Sequence, residues 1–485
     1  MDHDVIVVGT RAAGAATAML LARAGLRVLA VDRARFPSDT LSTHQVQVPG
    51  IARLRRWGLL DRIAAVTPAV PTVRVDAGRA VLHGRYPAVD GVDALYGPRR
   101  TLLDAALVDA ARAAGAEVRE GVAVEELTRD AEGRITGIRG RERGEGRGRG
   151  PSAAPATETA RLVIGADGKR STVAAAVGAK AYHVRPASTF ACYTYWSGVD
   201  LPVGSIYVRP GLTVPAFPTN DGLVMVALFA PLAEFDRFRA DPAAGYLAAL
   251  DRCGDLGERV RSGTRAEPFR LAPDVPNGFR AAHGPGWALV GDAGVVMDPV
   301  AGQGISNAFR DAELLAAAIV RGLGSDSHAA SSPPIGGHAA GDPVLAALAG
   351  ARHPSVGYPS DLGSEARGSD SIAAADSESR ALRSGGATNR SLDDALAGYQ
   401  QERDAAAYPI YAMTRSLATL RVWLAQRLLL AAIADRPAET TRFLGVLAGA
   451  VRYDDYLRPA NVLGLVGGGL TRRLRRSVAA GDAGG

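Results

Sequence analysis

The residues with the clearest chemical spacing stand at the beginning of the chain: Gly9, Arg11 and Gly14 in the run Gly9-x-Arg11-x-x-Gly14, then Asp32, 18 positions after Gly14. A glycine at the first position permits a tight turn, and one at the last lets a helix pack closely on a strand. The free N–H groups of the helix start can hold a diphosphate, and an acid at the end of the next strand can accept ribose hydroxyls. That is the chemistry of dinucleotide binding; the plainer alternative is an ordinary buried βαβ unit. Arg11 replaces the glycine that usually lets backbone approach the pyrophosphate, so its side chain must turn aside or pair with the phosphates. The positioning elements are legible around these residues. Val5 to Val8 form an apolar run of buried-strand type, an alanine-rich helix follows and stops at Gly25, and Val28 to Val31 repeat the strand signature before Asp32.

Two further segments repeat the arrangement of a buried strand running into glycine and acid. Residues 160–178, ARLVIGADGKRSTVAAAVG, carry Gly165 and Asp167-Gly168 ahead of a helix started by Ser171, which Asp167 could equally cap. Trp287 to Val290 run into Gly291-Asp292, and Pro299, Gly302 and Gly304 then lead into a helix ending near Gly322. Arg100, at the start of a helix that ends at Gly115, could reach phosphates by charge-assisted hydrogen bonds. Cys192 and Cys253 lack metal or redox spacing and the eight histidines are dispersed, so no metal site is expected. A net charge of +6 arises from scattered arginines without a basic stripe carrying interleaved aromatics, which argues against nucleic-acid binding. No leader precedes Val5, so the cytosol is the default compartment.

The remaining chain divides by texture. Residues 70–97 read as short strands, 118–127 and 135–139 as a strand pair, and 141–159 as a polar, extended hairpin tip. Residues 183–277 are proline-rich and β-patterned, which predicts an antiparallel sheet. Residues 325–391 lose aromatics and periodicity and are expected to be disordered. Helical patterning resumes at Leu392. Within it, Val422 to Ala434 contains Gln426 and Arg427 and is too short to cross a bilayer. It reads as a buried helix, with an amphipathic helix touching membrane or a greasy substrate as the alternative.

In order and spacing, the opening βαβ unit, Arg100-x-x-Leu103, the Gly165-Ala166-Asp167-Gly168 segment and Gly291-Asp292 with Pro299, Gly302 and Gly304 resemble the single-component flavoprotein monooxygenases of the para-hydroxybenzoate hydroxylase type, over residues 1 to about 325. Within that superfamily, the arginine-for-glycine turn, residues 36–44 (FPSDTLSTH) and the chain from 392 onward resemble the bacterial set grouped with geranylgeranyl reductases. The resemblance implies an α/β fold with a Rossmann-like FAD-binding domain (1–70, 98–182 and 278–324) interleaved with an antiparallel β-sheet substrate domain (71–97 and 183–277), followed by a C-terminal helical region (392–485). It implies FAD held by Gly9, Arg11, Ala13, Gly14, Asp32, Arg33, Arg100, Asp167, Gly291, Asp292, Pro299, Gly302 and Gly304. NAD(P)H is then a transient co-substrate visiting the same site, since no second complete fingerprint is present.

The activity implied is hydroxylation or epoxidation, with O2, of a small organic substrate, aromatic or of polyketide or other secondary-metabolite type. His44, Tyr193, Tyr195, Trp196, Tyr207 and Phe217 are the candidate substrate residues, each competing with simple packing. Reduction of isoprenoid-type double bonds and non-catalytic flavin binding are the alternatives. A flavin halogenase is disfavoured because the W-x-W-x-I-P element is missing where Val214-Pro215-Ala216-Phe217-Pro218 stands. No integral membrane segment is expected, and the sequence fixes neither the substrate nor the oligomeric state.

Overall fold

The computed structural model describes residues 1–142, 155–324 and 378–467, with backbone alone for 378–388. One layer is a parallel sheet in which the strand His3–Val8 lies between Ala156–Gly165 and Val28–Asp32, with Trp287–Leu289 beyond the former and Glu117–Glu120 beyond the latter. Val5, Ile6 and Val7 are fully buried, as a central parallel strand covered on both faces requires. The helix Ala12–Arg23 is rich in small side chains that let its neighbours approach, and Ala15, Ala16 and Ala18 are all buried. Gly14 is obligatory there: a Cβ would stand 1.8 Å from the carbonyl oxygen of Gly9.

The strand Ala156–Gly165 serves two neighbourhoods. Its second half runs parallel to His3–Val8, while Ala156 to Thr159 pair antiparallel with Ile135–Glu142, which pairs in turn with Val122–Arg129. The expected hairpin is thus present at its base; residues 143–154 lie outside the described residues.

The second layer is a sheet in the order Thr264–Arg265, Thr189–Ser197, Val224–Pro231, Leu212–Pro218, Gly204–Arg209, Thr72–Asp76 and Val81–Arg85. It is antiparallel except where Gly204–Arg209 runs parallel to Thr72–Asp76, which brings the two sequence segments of the expected substrate domain together. The β pattern of residues 183–277 predicts an antiparallel sheet and no helices, and here the structure adds to the reading. Helices Phe235–Ala240, Pro242–Leu250 and Leu256–Ser262 cover one face of the sheet. The signal for the second of these was Asp241 before Pro242: the Asp241 carboxylate caps the helix by accepting from the Ala244 N–H at 3.0 Å.

The C-terminal region comprises helices Glu378–Leu417, Leu424–Ile433, Pro437–Leu447 and Tyr453–Tyr456. The first begins inside the stretch expected to be disordered, so residues 378–391 are a correction; 325–377 and the arginine-rich tail from 468 lie outside the described residues. Leu392, Leu396 and Tyr399 are buried, and the Tyr399 hydroxyl donates to the Leu289 carbonyl at 2.9 Å, tying this helix to the parallel sheet.

Candidate functional site

Parallel register gathers the sequence-predicted residues on one edge. Val8 is aligned with both Gly165 and Val31, and Gly165 with Leu289. Asp32 ends its strand, and Gly9, Ala166-Asp167 and Val290-Gly291 directly follow theirs, all at the carboxyl edge where ligands bind in such sheets. The contacts are intimate. A Cβ on Gly9, whose φ is +97°, would lie 2.5 Å from the Ala166 carbonyl oxygen, and one on Gly291 would lie 2.7 Å from the Ala13 Cβ. The helix start beside Gly9 has no side-chain cap and no acid in its first turn, leaving its N–H groups for an anion.

Asp32 is buried at this edge. One carboxylate oxygen accepts from the Thr10 N–H at 2.7 Å, the other from the Ala34 N–H at 2.8 Å, which fixes the acid at the strand end. Arg33 beside it is exposed. Arg11 turns aside. Its guanidinium donates to Asp104 at 2.9 Å, the Ser38 carbonyl at 3.1 Å and the Asp39 carbonyl at 3.1 Å, and lies over the Phe36 ring. Arg100 donates to the other oxygen of Asp104 at 2.9 Å. Asp104, fully buried, therefore binds both predicted arginines at once, a role the sequence reading missed although its i,i+4 spacing from Arg100 was the available signal.

Asp167 accepts from the Thr172 N–H at 2.6 Å, so it does cap the following helix together with Ser171, while its second oxygen is buried without a partner. Asp292 is exposed in a cleft whose walls still raise its carboxyl pKa, burial outweighing the opposing pull of Arg100 and Lys169. The loop from Pro299 to Gly304 lies between these acids and the second sheet. Asp298 pins it, accepting from Thr189 at 2.6 Å and from the Val300 N–H at 3.0 Å. Gly302 has φ +61°, and a Cβ there would meet the Gln45 amide oxygen at 2.4 Å. Gly304 opens the helix Gly304–Gly324 with nothing within 4 Å of its Cβ position.

His44 is buried, its Nε2 bonded to the Tyr195 hydroxyl and its Nδ1 without a partner. Burial, with Arg100 and Arg99 adding repulsion, lowers its pKa to about 3, so the imidazole is neutral at ordinary pH. Tyr193 accepts from the Ser42 N–H at 3.2 Å, and Arg99 lies over the Tyr195 ring at 4.2 Å. His44, Tyr193 and Tyr195 thus form one cluster beside the loop. Gln45 Nε2 and Gln47 Oε1 next to it are also buried without partners. Such orphaned polar atoms, the uncapped helix start and the glycine cradle fit a long cofactor carrying phosphates and a polar ring edge.

A partly open, mainly apolar cavity begins at this loop. Thr43, Gln45, Gln47, Pro299, Val300 and Ala301 form its inner end. Val73, Val75, Ile206, Val208, Phe217 and Phe229 supply the sheet wall, and the C-terminal helices supply the other, including Leu417, Leu430, Leu444 and Leu447. Of the predicted substrate aromatics, Phe217 lines it. Trp196 and Tyr207 do not: they lie in the core on the opposite face of the sheet, Trp196 bonding to the Tyr246 hydroxyl at 3.3 Å. Strand alternation explains this, since Ile206 and Val208 take the cavity face and leave Tyr207 the other. The C-terminal wall includes Val422, Gln426, Leu429 and Leu430, from the segment for which contact with a greasy substrate is the alternative to plain burial in the sequence. Tyr456 places a buried, unpartnered hydroxyl in it.

Comparison with known proteins is consistent with this geometry. Residues 2–195 match the family model described as an FAD binding domain. A menaquinone reductase of Mycolicibacterium smegmatis is 28% identical over 326 residues, 66% of this chain and 76% of that protein. A digeranylgeranylglycerophospholipid reductase of Methanocella arvoryzae is 26% identical over 315 residues, 64% and 75% respectively. The solved structure of pqsL, a probable FAD-dependent monooxygenase from Pseudomonas aeruginosa, aligns with a TM-score of 0.58 at 20% identity, covering 90% of this chain and 98% of that one. Solved flavin-dependent halogenases share the fold as well.

Proposed function

We propose that this chain, an FAD-dependent oxidoreductase of the para-hydroxybenzoate hydroxylase-like group A flavoprotein superfamily, acts on an extended apolar substrate of isoprenoid type and reduces a carbon–carbon double bond in it. The observation that carries the reading is the cavity. Its walls are aliphatic and aromatic, its lining includes both the Pro299–Ala301 loop and the exposed Arg421, and it offers few polar groups with which to orient a small phenol or acid. The reductases among its relatives, named for menaquinone and for a digeranylgeranyl lipid, support the same substrate class.

The diphosphate of FAD would lie against Gly9, Ala13 and Gly14, its adenosine ribose on Asp32, its ribityl chain near Asp292, and its ring against Pro299, Gly302 and Gly304. Bound there, FAD would supply hydride-transfer chemistry, with NAD(P)H as the reductant. The protein's own part is positional. Leucines and valines of the two walls exclude water and align a flexible chain, and the unpartnered Gln45 Nε2 and Gln47 Oε1 atoms hold the polar end of the reacting pair. Burial pushes the Tyr456 phenol up to about 12, so it remains an O–H donor in the working pH range.

Oxygenation is the second reading, favoured by the shared fold with the Pseudomonas monooxygenase. Product mass separates the two. Incubation with FAD, NAD(P)H and geranylgeraniol in air is expected to give a product heavier by two hydrogens; a product heavier by one oxygen would replace reduction with oxygenation.

A further inference from the structure

The C-terminal helix Leu424–Ile433 has two unlike faces. Leu429, Leu430 and Ile433 are buried, whereas Trp423, Leu424 and Leu428 are exposed at 55%, 71% and 42% of their surface. Large apolar side chains clustered in this way on a soluble protein mark a contact surface. Its location is specific: Arg421, Val422 and Gln426, interleaved with the exposed residues, line the apolar cavity, and a second hollow bounded by Ser188, Pro231, residues 418–421 and Trp423 shares Leu420 and Arg421 with it. Residues of the cavity lining are therefore interleaved in sequence with the exposed apolar side chains.

Charge identifies the occupant. Between Asp404 and Asp435 the chain contains no acidic residue, while Arg415, Arg421 and Arg427 are all basic. Arg421 and Arg427 are exposed and form no ion pair among the described residues. Tryptophan and leucines on one face with arginines beside them is the composition of a helix lying in the headgroup region of an anionic bilayer. A protein partner of the same apolarity would give no reason for cavity-lining residues to be interleaved with the patch.

We infer that Trp423, Leu424 and Leu428 dock the protein onto an anionic phospholipid surface, with Arg421 and Arg427 on the headgroups, so that the cavity faces the bilayer and takes an apolar substrate from it. The inference rests on the proposed substrate class, but its test requires no substrate. Trp57, Trp196 and Trp287 are buried, so Trp423 is the tryptophan whose emission responds to a change at the surface.

The holoenzyme is mixed with vesicles of phosphatidylcholine containing roughly 30% phosphatidylglycerol, and with vesicles of phosphatidylcholine alone. With the anionic vesicles the protein co-sediments, its emission shifts to the blue, acrylamide quenching falls, and added salt reverses all three. Trp423→Phe abolishes the spectral change. The double variant Leu424→Glu, Leu428→Glu, at exposed positions outside the cavity lining, lowers the bound fraction by about tenfold with unchanged flavin content and thermal midpoint. Absence of co-sedimentation, or equal binding by the double variant, overturns the inference. So does quenching protection that grows with protein concentration without vesicles, which would assign the patch to a second copy of the chain. Either failure leaves the cavity reading intact, because that reading is decided by product mass.

Discussion

The edge of the parallel sheet and the cavity beyond it are built by different means. At the edge the work is done by backbone: strand ends in register, turns that admit no Cβ, and the uncapped start of a helix. In the cavity it is done by side chains of ordinary core type drawn from the N-terminal loop, the second sheet and the last helices. Backbone sites tolerate little change because the interacting atoms cannot move independently. Side-chain walls can be revised residue by residue, which suits one scaffold to many substrates.

The contrast predicts unequal responses to substitution. The largest belongs to the edge: Gly14→Val would drive a side chain into the Gly9 carbonyl, a contact no rotamer relieves, and the purified variant is expected to carry no flavin absorbance. Retention of flavin by that variant would mean that the edge is as plastic as the cavity. Next comes Asp104→Ala, which strands Arg11 and Arg100 without their shared carboxylate; losing one partner of a buried ion pair costs about 3–5 kcal/mol, read from chemical unfolding. An unchanged midpoint would show that Arg11 and Arg100 find equivalent partners.

A smaller, pH-dependent effect belongs to His44, at the junction of the two regions. Its folded pKa of about 3 lies below the ordinary 6.5, so the unfolded chain binds the extra proton between those values. The stability held above pH 6.5 is accordingly lost as pH falls toward 3. His44→Gln is expected to flatten that part of the stability profile, and an identical acid slope in the variant would remove His44 as its source.

The same contrast explains how much could be read from sequence. The dinucleotide edge was legible because glycine and acid after an apolar run have few other uses at those spacings, and Gly9, Gly14, Asp32, Asp167 and Gly291 all come to one edge. The cavity was not. Leu417, Leu444 and Leu447 have the periodicity of core helices whether they face a core or a cleft. The aromatics of the second sheet divided between its faces for a related reason: Phe217 lines the cavity while Trp196 and Tyr207 pack under the helices of residues 235–262, helices that the β-patterned reading omitted. Arg11 looked like a defect in the glycine pattern, and its partner Asp104 only emerges once the turn and the helix of Arg100 are placed side by side.

The central claim, that the cavity delivers an extended apolar chain to the flavin loop, is tested most directly by titrating the FAD-loaded protein with farnesol, geranylgeraniol and para-hydroxybenzoate while recording the flavin difference spectrum. The two isoprenoid alcohols are expected to perturb the spectrum, geranylgeraniol more tightly, and Leu447→Trp, which narrows the wall, should weaken geranylgeraniol by about tenfold without releasing flavin. A saturable response to para-hydroxybenzoate with none to either isoprenoid would contradict the account.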